Sequence, residues 1–86
     1  EKVVSLHFKG TIKLIELEGG FYGIITDKGH KILPMNLNPE YMQDGAEIEF
    51  SGHYKNVMTI QQWGKPFTVT EVKLIKEGKK KSNPEF

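Results

Sequence analysis

Three features of the chain predict a small all-β barrel. Apolar and polar residues alternate with a period of two in several separate stretches, and glycine- or asparagine-containing breaks divide those stretches. Between the third and fourth stretch lies one capped segment too short for an independent helix. The expected architecture is a closed or partly open barrel of five to six strands, with one short helix between strands three and four. At 86 residues the chain has the length of one domain. A domain this small buries only about 60% of the surface its unfolded chain exposes. It has no cysteine, so neither disulfides nor thiolate-bound metal can reinforce it. Closing the sheet on itself answers that need, because few strand edges are left open.

The first strand begins at Leu6. Leu6, Phe8, Gly10, Ile12 and Leu14 fall on one face, and His7, Lys9, Thr11 and Lys13 on the other. At Leu14-Ile15 the frame slips, which predicts a β-bulge that turns Ile15 and Leu17 inward and Glu16 and Glu18 outward. Gly19-Gly20 breaks the chain before a second strand, residues 21–26. Asp27-Lys28-Gly29-His30 is a tight turn into a short third strand that ends at Pro34, whose nitrogen has no hydrogen to donate. Asn38 caps the short helical segment, Pro39 suits its first position, Glu40 complements its dipole and Gly45 stops it. Ala46, Ile48, Phe50, Gly52 and Tyr54 alternate with polar residues as a fourth strand. Residues 57–63 and 67–75 read as two more. Residues 1–76 thus form the barrel, and the lysine-rich residues 77–86 read as a solvated, disordered tail. A long first strand, a hairpin, a short helix and then further strands is the plan of an OB-like barrel.

Twelve basic residues against eleven acidic ones leave a net charge of +1, without the marked basic excess of a domain built wholly for nucleic acid. No apolar run approaches the roughly 18 residues of a membrane-spanning helix. A chain without cysteine suits a reducing cytosol and a cell envelope equally.

The turn and core residues Gly19-Gly20-Phe21-Tyr22-Gly23-Ile24, Asp27-x-Gly29, Pro34-x-Asn36-Leu37, Asp44-Gly45 and Trp63-Gly64 form a recognisable pattern. Over residues 8–75 the chain resembles a small, functionally uncharacterised prokaryotic OB-like domain. The resemblance implies the barrel and a prokaryotic origin, and it supplies no catalytic residues. Some members of that family follow a signal or lipoprotein sequence.

Catalysis finds little support in the residues. Ser5, Ser51 and Ser82 lack a nucleophile-elbow context. Glu47 and Glu49 share one strand face as solvated side chains, and a chain this short hardly builds a cleft around them. The glycines at 19, 20 and 23 precede a strand and lack the Gly-Lys-Ser/Thr ending of a phosphate loop. His7, His30 and His53 show no metal-ligand spacing, although His7 and His53 become neighbours if the first and fourth strands pair. The expectation is therefore no enzyme, no metal and no cofactor. What remains is a set of aromatic and lysine or amide residues around two loops: Phe21 and Tyr22 beside the first, and Tyr54, Lys55, Gln61, Trp63 and Lys65 in or near the second. In an OB-like barrel those loops flank the ligand face. The reading is a binding or interaction module for a protein, peptide or glycan. Single-stranded nucleic acid is the alternative, with bases stacked on the rings and phosphates held by lysines.

Overall fold

The computed structural model describes residues 5–17, 19–56 and 63–80. Five strands close into a barrel: β1 (Leu6–Ile15), β2 (Phe21–Thr26), β3 (Lys31–Pro34), β5 (Glu47–Tyr54) and β6 (Lys65–Lys76). Around the barrel they run β1-β2-β3-β6-β5, and β5 returns to β1. Every pairing is antiparallel except β3 with β6, which is parallel. A short β4 (Gln43–Asp44) and β7 (Lys79–Lys80) pair separately as a two-stranded sheet. The predicted all-β barrel is thus present and closed.

The alternation in the sequence becomes the inside and outside of this barrel. Ile12, Ile24, Ile32, Ala46, Ile48, Phe50 and Phe67 are buried together, with Leu37 supplied by the segment after β3. Each fully buried isoleucine or phenylalanine contributes about 1.5–3 kcal/mol relative to exposure. One end of the barrel is closed by rings: Phe8 packs against Phe50, Phe67, Tyr54 and His30 at centroid distances of 5.7 to 6.5 Å. The other end is closed by the segment following β3. There Asn38 Oδ1 accepts from the Glu40 amide, and Pro39–Tyr41 forms a single 3-10 turn. The predicted helix is therefore one tight turn that does not run on to Gly45. Its follow-on residues Gln43 and Asp44 form β4 instead. The buried Gln43 side chain donates to Glu40 O and accepts from the Gly78 amide, tying the turn to the β7 segment.

Two further expectations need correction. The bulge predicted at Leu14-Ile15 is absent, since β1 and β2 keep one register from Gly10–Thr26 to Ile15–Phe21. Leu17 is accordingly 54% exposed. The barrel bends instead where β5 pairs β6, with register shifts at Glu47/Ile48 and Ser51/Gly52 that leave Ile75 and Thr70 as the extra residues. The disorder expected of the tail from residue 77 also does not hold for Lys79 and Lys80, which pair with Asp44 and Gln43. Of the strand expected over residues 57–63 only Trp63 is described, and it lies in a bend; residues 57–62, Glu18 and the tail over residues 81–86 lie outside the described residues. Among the described residues no helix is long and apolar enough to cross a membrane.

Candidate functional site

Residues directly opposite on antiparallel strands share a face. Gly23 of β2 lies opposite the exposed Lys13, so it belongs to the outer wall of the barrel. The six-membered ring of Trp63 lies against it, so close that a Cβ at position 23 would overlap ring carbons Cζ3 and Cη2. Two side chains flank the indole there. Phe21, two residues back on the same face, meets it edge-on with centroids 5.9 Å apart. Lys31 of β3 places Nζ 5.7 Å from its centroid, within cation–π range. Gly64, at φ +72°, packs against the Lys31 backbone and turns the chain into β6. The predicted residues Phe21 and Trp63 are thus brought together on the outer face of the β2–β3 hairpin.

A second pair continues the surface. Lys65 Nζ lies 5.7 Å from the Tyr54 ring, and Lys31 and Lys65 flank a depression lined also by Gly29, His30, Tyr54 and Gly64. Tyr54 is 38% exposed, and its inner side packs on Phe67 at 5.2 Å. Lys55 follows it as an exposed residue whose amide donates to Pro66 O. Phe21, Trp63, Lys31, Lys65 and Tyr54 therefore form one aromatic–lysine ridge. Tyr22 does not join it. Its neighbours on the same face are Leu14 and, two residues along β2, Ile24, so its ring points into the barrel. Gln61 lies outside the described residues. Lys31 and Gly23 were missed by sequence reasoning, although a glycine amid β-branched and aromatic strand residues is the signal of a close approach.

Toward its open end the same hairpin parts. The β2–β3 ladder holds only Ile25–Lys31 and Ile24–Ile32. The next hydrogen-bonding position in that register sets Tyr22 opposite Pro34, which has no N–H to donate. Past that point β3 follows β6: the Met35 amide donates to Phe67 O, and the Asn36 side chain both donates to Val69 O (2.9 Å) and accepts from the Val69 amide (2.8 Å). Between the diverging strands lies a cavity of about 440 Å³.

A polar chain crosses the opposite wall. His7 Nδ1 lies 2.9 Å from Ser51 Oγ, and Nε2 lies 2.7 Å from Glu49 Oε2. In the observed register His7 faces Ser51, not His53, which pairs with Thr68. The hydrogen bond from His7 holds the Glu49 carboxyl below its ordinary range, against an opposing loss of solvent and with lesser help from the charges of His7, Lys9 and Lys73. Sequence reading set Glu49 beside Glu47 and His7 beside His53, because only the register brings His7, Ser51 and Glu49 together. Among the described residues no group of three or more His, Cys, Asp or Glu side chains could hold a metal ion.

No protein-family model, curated protein or solved structure matches the chain.

Proposed function

We propose that this chain is a non-enzymatic OB-like binding module whose contact face is the aromatic–lysine ridge, and that its ligand is a protein or peptide. The observation that carries the reading is the seating of Trp63 on Gly23 between Phe21 and Lys31. A half-exposed indole fixed on a rigid strand presents contact area with little conformational entropy left to lose, the property of an interface anchor. The strand order, the parallel β3–β6 closure and the helical turn between the third and fourth barrel strands support the OB-like assignment, as does the turn pattern noted in the sequence. In such barrels ligands cross strands two and three, the strands under Trp63.

The His7–Ser51–Glu49 chain does not change the non-enzymatic reading. His7 is 57% exposed, and at Glu49 and Ser51 the strand β5 pairs on both sides, with β1 and with β6. Strand amides engaged in ladders cannot turn toward an oxyanion.

The test is selection of peptides from a displayed library on the wild-type domain, followed by binding to Trp63→Ala and Lys31→Glu. Selected peptides should lose at least about tenfold in affinity on either variant, the weight of an interface hot spot. Peptides indifferent to both variants would place the contact face elsewhere. A second reading, single-stranded nucleic acid, rests on the two lysine–ring pairs lying side by side.

A further inference from the structure

We propose that the cleft between β2 and β3, which shares Phe21 with the outer ridge, is a second site that takes a small uncharged and mainly aliphatic molecule bearing a carbonyl group. The cavity of about 440 Å³ falls within the range of small-molecule sites, about 300–1,000 Å³. Its walls are Leu14 and Tyr22 from the barrel interior, Leu33 and Pro34 from β3, and Leu37 and Met42 from the end-closing segment. Among the described residues no charged side chain lines it. A ligand ion would lose its water there without gaining a counter-charge, so the occupant is neutral.

The polar requirement comes from Tyr22. Its hydroxyl is buried and has no hydrogen-bond partner among the described residues. A buried hydroxyl left unpaired is costly, and a phenol first of all donates. The hydroxyl is covered as the cleft stands, so a ligand has to part the side chains over it; a carbonyl oxygen then satisfies that donor while the aliphatic chain covers the leucines. The two methionines of the lining, Met42 inside and the 44% exposed Met35 at the rim, can adapt to chains of different shape. The cleft is also built into the backbone. Pro34 stops the β2–β3 ladder, and the Asn36–Val69 bonds hold the end of β3 on β6, so the gap does not depend on a chance side-chain position.

The experiment is a titration of the full chain with 2-octanone, followed by methyl NMR. Saturable shifts are expected at Leu14, Leu33, Met35, Leu37 and Met42, with Ile75 unmoved on the far wall. Tyr22→Phe should weaken 2-octanone about three- to tenfold, the equivalent of one neutral hydrogen bond. Met35→Glu, a change at an exposed rim position, should weaken it more than tenfold while the circular dichroism spectrum stays that of the wild type. Shifts that fail to saturate, shifts spread over both ends of the barrel, or unchanged affinity in either variant would overturn the proposal.

Discussion

At position 23 an added methyl group has no room, because the Trp63 ring already occupies its place. Gly23 sits within the regular β2 ladder, so alanine fits the backbone there and only the indole must move. Gly23→Ala should therefore shift Trp63 emission to longer wavelength with little change in the strand content seen by circular dichroism. Unchanged emission would mean that Trp63 does not rest on β2. Glu49 supplies a second test at this scale. A carboxyl held low by a folded-state partner contributes stability above its unfolded value, about 4.3, and that contribution is lost as pH falls through the folded value. In a carbon-detected titration Glu49 should have a midpoint below the ordinary range, and His7→Ala should raise it toward that range. Equal midpoints in the two proteins would exclude the His7 hydrogen bond as the cause.

Among the elements, the short β3 depends most on a single side chain. Only three of its residues pair with β6, and the Asn36 amide extends that ladder by binding both backbone groups of Val69. Asn36→Ala strips both partners at once, and each backbone group left without one costs about 1–3 kcal/mol where water is excluded. Asn36 is exposed, so water recovers part of this, and a loss of about 1–2 kcal/mol in urea unfolding is expected. A loss below a few tenths would show that β3 holds to β6 without the clamp. This clamp was legible in the sequence only as a turn signal, Pro34-x-Asn36-Leu37. The strands themselves were legible because each has one face in the core and one in water, which writes a period of two into residues such as Ile48, Phe50 and Gly52. The bends were not. A frame slip at Leu14-Ile15 resembles a bulge in one dimension, but bulges are properties of a pair of strands, and β6 carries them where it meets β5. Lys79 and Lys80 were misread for the same reason, since a solvated composition says nothing of the edge that Gln43 and Asp44 offer.

For the whole molecule the question is what the small net charge permits. With +1 overall, attraction to a polyanion has to come from a local patch, and the ridge provides one. Lys31 and Lys65 flank its depression and Lys55 is exposed near its end, while Phe21, Trp63 and Tyr54 supply ring faces and edges. The candidate residues of the second loop were legible as composition, but the platform exists only because closure of the barrel through β3 and β6 sets Lys31 beside Gly64 and Lys65. If that patch binds single strands, three lysines should each displace about 0.7 counterion, so log affinity should fall against log salt with a slope of about −2. Lys31→Ala should flatten the slope by about 0.7. Trp63→Ala should cost about 1–3 kcal/mol of affinity, the value of one stacked base, at any salt concentration. These two responses separate charge from stacking, and a peptide-binding ridge would show neither with an oligonucleotide. Fluorescence anisotropy of a labelled single strand, at low and at moderate salt, measures both. Absence of binding at about 100 μM protein in low salt would remove nucleic acid from consideration, because even non-specific contacts reach that range.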